Sequence, residues 1–177
     1  GPGTADGQFA APEGLGAAAD GRLAVADTGN HRVQVFDAAG KMVMVLRGLN
    51  GVDFVAPSDA AFDSTGRLYV ADSVRQFVAL YDKTYNLLRV LGATNTPGDT
   101  FDRFNAPSRL AIGPGDTVFV ADSGNARVQV FDKDGRYLTT LGGVTGSGTG
   151  AFRMPLGLAV DAAGNVIVAD RDNHRVG

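Results

Sequence analysis

Hydrophobic residues in this chain form short runs separated by turns that contain glycine and aspartate. The runs are rich in valine, isoleucine, leucine, phenylalanine and tyrosine, as in the segment GLAVDAAGNVIVADRDNHRV. Such runs between turn-forming residues are typical of β-strands, and no stretch shows the 3.6-residue period of an amphipathic helix. One part of the chain predicts four strands, from innermost to outermost, at Ser108–Ile112, Thr117–Ala121, Arg127–Phe131 and Tyr137–Leu141.

The same pattern recurs along the chain. The tripeptide VAD places an aspartate at the end of the second strand of each unit, and these aspartates are spaced by 45, 50 and 48 residues. A phenylalanine three residues before a proline recurs with the same spacing, so two landmarks share one period. The aspartates are Asp27, Asp72, Asp122 and Asp170; the phenylalanines are Phe9, Phe54, Phe104 and Phe152; and the prolines are Pro12, Pro57, Pro107 and Pro155. Repeats of this length with four short strands are typical of β-propeller blades.

The repeat predicts an all-β fold, a β-propeller with three complete four-stranded blades and a three-stranded fourth blade in an incomplete ring. We expect one domain over residues 1–177, with 15 strands and with blades at about 12–47, 57–91, 107–141 and 155–177. An incomplete ring leaves the outer flanks of blades 1 and 4 without a neighbour. These flanks are expected to expose apolar residues and to favour either a homo-oligomer or the remainder of a longer propeller chain.

The segments PLGLAVDAAGNVIVADRDNHRV and VADSGNARVQVFDKDGRYLTTLG resemble the NHL repeat of six-bladed β-propellers. The resemblance extends over essentially the whole chain and implies a fragment of such a propeller. Blade 2 departs from the pattern, because Arg75 stands where asparagine is usual and Phe77 where arginine is usual.

The repeated aspartates are interpreted as structural turn clamps. An aspartate that ends a strand can accept backbone N–H bonds across the following turn, and Gly29 and Gly124 are expected to supply a positive φ there. An arginine five residues later can pair with the clamp in three blades, as Arg32, Arg127 and Arg175.

Ligand contacts are expected on the face that carries the long loops, Arg47–Pro57, Gly92–Pro107 and Gly142–Pro155. Residues just after each proline open the innermost strands and should surround the mouth of the central channel. Asp59 and Arg109 stand there, on adjacent blades, beside Glu13. They are either a surface ion pair or contacts to a polar ligand or peptide. Arg75, His31 and His174 complete the set of candidate ligand-binding residues.

Composition narrows the functional classes. The formal net charge is −3, with both signs spread along the chain, which argues against nucleic acid as a partner. There is no cysteine, and no apolar run approaches the length of a membrane span. His31 and His174 share one register in blades 1 and 4, but no third ligand follows at metal spacing. The sequence therefore predicts no metal, no other cofactor and no catalytic residue.

The resemblance to NHL propellers implies a non-catalytic binding or scaffold module whose partner is a protein or a small polar ligand. Two alternatives remain open: a fragment of a propeller enzyme, such as a metal-dependent lyase or a lactonase-like protein, and an RNA-binding NHL domain. The same resemblance favours an extracytoplasmic bacterial location, secreted or periplasmic.

Overall fold

The computed structural model describes residues 1–177, and it consists almost entirely of β-strands. Four antiparallel sheets follow one another along the chain, and within each sheet every strand pairs with the next in sequence. Three sheets have four strands and the last has three. The predicted class, an all-β propeller with a three-stranded fourth blade, is confirmed.

The strands are assigned as follows. Blade 1 contains β1 (Gly14–Ala17), β2 (Leu23–Asp27), β3 (Arg32–Phe36) and β4 (Met42–Leu46), and a hairpin of β5 (Gly48–Leu49) and β6 (Val52–Asp53) follows it. Blade 2 contains β7 (Pro57–Phe62), β8 (Leu68–Asp72), β9 (Phe77–Tyr81) and β10 (Leu87–Gly92). Blade 3 contains β11 (Pro107–Ile112), β12 (Val118–Asp122), β13 (Arg127–Phe131) and β14 (Tyr137–Gly142). Blade 4 contains β15 (Pro155–Val160), β16 (Val166–Asp170) and β17 (Arg175–Val176).

Helical structure is limited to four short 3-10 turns, and no helix is long and apolar enough to cross a membrane. These turns are Thr28–Asn30, Pro114–Asp116, Ser123–Asn125 and Arg171–Asn173.

The predicted count of 15 strands is wrong, because the hairpin of β5 and β6 adds a fifth, two-stranded sheet. Asn50 and Gly51 form its turn, and Gly51 has a φ of 86°. An Asn-Gly pair favours a tight hairpin turn. The flanking strands are only two residues long, which is too short for a recognisable alternation of apolar and polar residues.

Apolar side chains are buried between successive blades. One cluster joins blades 1 and 2, a second joins blades 2 and 3, and a third joins blades 3 and 4. In the second cluster, Tyr69 and Leu80 of blade 2 pack with Leu110, Val118 and Phe131 of blade 3. Each blade is therefore stabilised by its neighbours, as in other repeat proteins.

The outer flanks of blades 1 and 4 expose positions whose equivalents are buried at the junctions between blades. Leu15 in β1 is 64% exposed, whereas the equivalent Leu110 in β11 is 7% exposed. Ile167 in β16 is 42% exposed, whereas the equivalent Phe119 in β12 is 7% exposed. The two flanks thus present the two complementary sides of a blade junction.

Candidate functional site

The aspartate that ends the second strand of each blade is buried, and it holds the segment that leads into the first strand. Asp122 is 0% exposed, and its Oδ1 accepts a hydrogen bond from the Asn105 N–H, with an N···O distance of 2.6 Å. Its Oδ2 accepts bonds from Asn125 Nδ2 at 2.8 Å and from Arg127 Nε at 2.7 Å. Asp27 makes the corresponding bonds in blade 1. The carboxylate thus joins the strand end, the turn and the incoming loop.

The asparagine and arginine bound to this aspartate also hold the long loop that precedes the blade. Arg127 Nη2 donates to the carbonyl oxygens of Thr100 and Arg103, at 2.8 and 3.0 Å, and Asn125 Nδ2 donates to that of Gly98 at 2.7 Å. The long loops are therefore fixed by side chains of the clamp. In blades 1 and 4, the same type of bond is made by Asn30, Arg32, Asn173 and Arg175.

Two buried glutamines extend this arrangement, and the sequence analysis did not select them. Gln34 Nε2 donates to the carbonyl of Gln8 at 2.7 Å, and Gln34 Oε1 accepts the Gly7 N–H at 2.9 Å. Gln129 Nε2 donates to the carbonyl of Arg103 at 2.7 Å. The sequence feature that could have identified them is the glutamine inside VQVFD, because a strand covered on both faces normally carries an apolar side chain at that position.

Blade 2 builds its clamp from backbone groups alone. Asp72 accepts N–H bonds from Val55, Val74 and Arg75, with N···O distances of 2.7, 3.1 and 2.9 Å. Phe77 occupies the position of the clamp arginine and is fully buried. The departure of this blade from the repeat thus replaces a side-chain network with backbone donors and an apolar contact.

The loop ahead of blade 2 is held by other residues. Arg75, a candidate ligand contact, donates from Nε to the carbonyl of Asp53 at 3.0 Å and from Nη1 to Asn95 Oδ1 at 3.1 Å. The Tyr81 hydroxyl donates to the carbonyl of Gly48 at 2.9 Å. The structure therefore places Arg75 between two long loops, where it connects them.

The channel-mouth residues do not form the surface ion pair that the sequence suggested as one interpretation. Asp59 is only 6% exposed, and its Oδ2 accepts the N–H of Leu110, on the next blade, at 2.8 Å. Arg109 Nη1 donates to the carbonyl oxygens of Ser58 and Ser108 at 3.0 and 2.8 Å. Both side chains bond to the backbone, because the inner strands approach too closely to leave Asp59 at the surface.

Hydroxyl groups also link each blade to the inner strand of the next. Thr28 Oγ1 donates to the carbonyl of Pro57 at 2.7 Å, and Ser58 Oγ donates to that of Pro107 at 2.9 Å. Ser58 is available for this bond because a β-bulge follows Pro57 in β7. The inner strands around the mouth are therefore cross-linked, and Glu13 remains exposed beside them.

Burial raises the pKa of Asp59 to about 6, despite hydrogen bonds from Leu110 and Ala60 that favour the charged form. A carboxyl group with a folded-state pKa above its unfolded value stabilises the fold as pH falls. We expect the free energy of unfolding to rise by about 1.4 kcal/mol between pH 7 and pH 5, equivalent to one pKa unit. Chemical denaturation across this range measures the effect.

Histidines also titrate between pH 5 and 8. The experiment therefore uses a background with His31→Gln and His174→Gln, since Gln76 occupies the same backbone conformation in blade 2. Adding Asp59→Asn should remove most of the remaining pH dependence; burial also raises the pKa of Asp122, which remains in this background. Stability that does not change between pH 7 and pH 5 in this background would contradict the assignment.

A second concave region, which the sequence analysis missed, lies at the outer rim between blades 2 and 3. It is a cavity of about 550 Å³ whose lining includes Leu91, Phe101, Phe131 and Tyr137. The rings of Phe101 and Tyr137 are 5.6 Å apart between centroids, and Phe101 is 62% exposed. Arg89, Asp102 and Arg136 supply the charged groups of the lining.

Comparison with protein-family models identifies the repeat. The model described as NHL repeat matches residues 9–36, 104–131 and 152–177. The chain is a β-propeller that contains three NHL repeats. The matched segments lie in blades 1, 3 and 4, and they contain the clamp aspartate together with its asparagine and arginine partners. The segment that the model does not match, blade 2, is the one in which the NHL arginine is replaced by Phe77.

Solved structures with similar folds include proteins of different activities. An auxiliary nutrient binding protein from Bacteroides ovatus has a TM-score of 0.70 and 19% identity, over 96% of this chain and 48% of that chain. Hydrazine synthase of Kuenenia stuttgartiensis has a TM-score of 0.68 and 18% identity, over 94% and 44%. Streptogramin B lyase has a TM-score of 0.71 and 11% identity, over 94% and 50%. The NHL chain thus spans about half the length of these structures, which share its fold. No curated protein sequence matches it significantly.

The two histidines, and not the glycines, occupy the left-handed backbone position of the NHL turn. His31 and His174 have left-handed φ values of 54° and 51°, whereas Gly29 and Gly124 do not have a positive φ. The expectation of a positive φ at these glycines is wrong. Gly29 is required for space, because a Cβ there would lie 2.7 Å from the carbonyl oxygen of Ala10.

The histidine side chains are not brought into a metal-binding cluster. His31 Nδ1 hydrogen-bonds to the carbonyl of Val55. Among residues 1–177, no group of three or more histidine, cysteine, aspartate or glutamate side chains is placed to hold a metal ion.

Proposed function

We propose that this NHL propeller is a non-catalytic binding module that contacts a protein or a small polar ligand on its long-loop face, around the mouth of the channel. The observation that carries the proposal is the fixation of this face by hydrogen bonds from the clamp residues. Loops held in one conformation lose little entropy when a ligand binds, and preorganisation of this kind increases affinity.

The residues at the mouth determine which ligand is favoured. Glu13 is exposed, and Arg109 uses Nη1 for two carbonyl bonds while its other guanidinium nitrogens make none with the protein. Asp59 is occupied by backbone N–H groups. The mouth therefore offers one free carboxylate and one partly free guanidinium, which suits a ligand or peptide with charges of both signs.

A propeller enzyme is the alternative, since one protein of similar fold is named a lyase and another a synthase. A binding role is favoured by the use of Asp59 as a structural acceptor. General acid or base catalysis requires a group within reach of the substrate proton, and Asp59 is enclosed by the strands of three blades.

The proposal is tested by recording amide chemical shifts while two short peptides without aromatic residues are added, one acidic and one basic. We expect shifts around Glu13 and Arg109. Arg109→Gln should weaken binding of the acidic peptide about tenfold, since a hydrogen bond to a charged group contributes about 1.5 to 3 kcal/mol. Glu13→Gln should weaken binding of the basic peptide.

Lys41→Gln removes an exposed cation from the tight turn between β3 and β4, at the opposite end of the strands from the long loops, and serves as the control. Arg109→Lys retains the charge and separates loss of binding from loss of the bonds to Ser58 and Ser108. Shifts that occur elsewhere, or an acidic peptide that binds Arg109→Gln as well as the original protein, would refute the proposal.

A further inference from the structure

The tight turn between the third and fourth strands has the same backbone in blades 2 and 3 but a different residue at one position. Tyr85 in blade 2 and Gly135 in blade 3 are equivalent, because each donates its N–H to the carbonyl of the turn aspartate, Asp82 or Asp132, at 2.9 Å. Their φ values are 68° and 75°. The backbone is therefore conserved between the two turns, and the side chain is the difference.

At the junction of blades 1 and 2, the tyrosine fills the rim. Tyr85 packs against the apolar cluster that contains Leu46 and Leu49, together with Met44. Its hydroxyl accepts a hydrogen bond from Arg22 Nη1 at 2.8 Å, and the Arg22 guanidinium lies 5.9 Å from the ring centroid. This junction thus shows that the rim accommodates an aromatic ring beside a guanidinium group.

At the junction of blades 2 and 3, glycine leaves the corresponding region open. The cavity of about 550 Å³ lies there, with Gly135 in its lining. A Cβ built on Gly135 would lie 3.1 Å from Leu91 Cδ1 and 3.1 Å from Arg89 Cδ, both flexible side-chain atoms. Leu91 and Phe131 are 4% exposed and form an apolar floor, and Phe101 and Tyr137 provide aromatic walls.

The charges of the cavity favour an anion. Its lining carries two arginines and one aspartate, Arg89, Arg136 and Asp102. Arg89 Nη1 donates to the carbonyl of Asp134 at 3.0 Å, and Asp102 Oδ1 accepts from Thr100 Oγ1 at 2.7 Å. The Arg136 side chain makes no hydrogen bond within the protein, so its guanidinium is free to bind a carboxylate.

We propose that this cavity binds a small molecule consisting of an aromatic ring with a carboxylate group. The ring occupies the region that Tyr85 fills at the neighbouring junction, between Phe101, Tyr137 and Leu91. The carboxylate pairs with Arg136 and Arg89. The site lies at the outer rim, away from the channel mouth, so it is separate from the binding surface proposed above.

The probe is N-acetyl-L-tyrosine, added to the whole chain while amide chemical shifts and calorimetric heats are recorded. We expect saturable shifts centred on residues 89–93, 101–102 and 135–137. N-acetyl-L-tyrosinamide, which lacks the carboxylate, and N-acetyl-L-aspartate, which lacks the ring, should each bind at least tenfold more weakly. Arg136→Gln should weaken N-acetyl-L-tyrosine about tenfold and leave the amide unchanged, whereas Arg153→Gln should change neither.

Gly135→Tyr recreates the side chain of the neighbouring junction and should abolish binding, with some loss of melting temperature because a side chain at a φ of 75° is strained. If that variant does not fold, Phe101→Ser tests the same cavity from an exposed position and should weaken N-acetyl-L-tyrosine at least fivefold. Undiminished binding to Gly135→Tyr, or to both Arg136→Gln and Phe101→Ser, would overturn the proposal, as would the absence of saturable shifts in the original protein.

Discussion

Replacing Asp122 by alanine is expected to lower the free energy of unfolding by about 3 to 5 kcal/mol, the range for a buried ion pair that loses one partner. The carboxylate is fully buried and accepts bonds from the Asn105 backbone and from the side chains of Asn125 and Arg127. Its removal leaves Arg127, a residue that is only 6% exposed, without a counter-ion. Chemical denaturation monitored by circular dichroism measures the change.

The control is Asp132→Ala in the same blade. Asp132 Oδ1 accepts N–H bonds from Asp134 and Arg136 at 2.9 and 2.8 Å in a tight turn at the rim, and its loss should cost only about 1 kcal/mol. If Asp122→Ala costs no more than this control, Asp122 is not a clamp. Arg127→Met, combined with Asp122→Ala, should destabilise by less than the sum of the single changes, because the two residues interact directly.

A methyl group at Gly14 is expected to destabilise the fold by about 3 kcal/mol, at the upper end of the range for overpacking. A Cβ there would lie 2.4 Å from Asp59 Cα and 2.6 Å from the Ser58 carbonyl oxygen. Both are backbone atoms of β7, so the inner strands of blades 1 and 2 must separate. The variant Gly14→Ala is compared with the original protein by thermal and chemical denaturation.

Gly148→Ala is the matched control, because no atom lies within 4 Å of a Cβ built at Gly148 and its φ is not positive. This change should alter stability by less than about 0.5 kcal/mol, as for an ordinary surface substitution. Equal stability of the two variants would show that blades 1 and 2 can separate without cost, and that the close approach of β1 to β7 is not required.

Much of the fold could be predicted from the sequence because the signals are local. The strands of blade 3 lie within one residue of their predicted ends, since β-branched runs and turn residues determine where a strand begins and ends. The hairpin of β5 and β6 was missed because two-residue strands carry no alternation. The sequence analysis assigned the positive φ to Gly29 from its residue type, but the left-handed residue is His31. Glycine is needed at position 29 for another reason, which is its close approach to Ala10.

The candidate sites depended more on the tertiary structure. The sequence placed Asp59 and Arg109 together at the inner strands, but it could not show that Asp59 is buried against Leu110 of the next blade. It also could not show that the change from Tyr85 to Gly135 opens a cavity, because the groups that line it come from two blades and the loop between them.

By itself, the sequence determined the repeat, the all-β class, the number of blades and the position of the clamp residues, because each of these follows from patterns within a single repeat of 45 to 50 residues. The packing of one blade on the next decided the rest: which side of each strand is covered, why Gly14 must lack a side chain, and where the rim remains open. These features depend on contacts between residues about one repeat apart, such as Asp59 with Leu110, and such contacts form only when neighbouring sheets pack face to face.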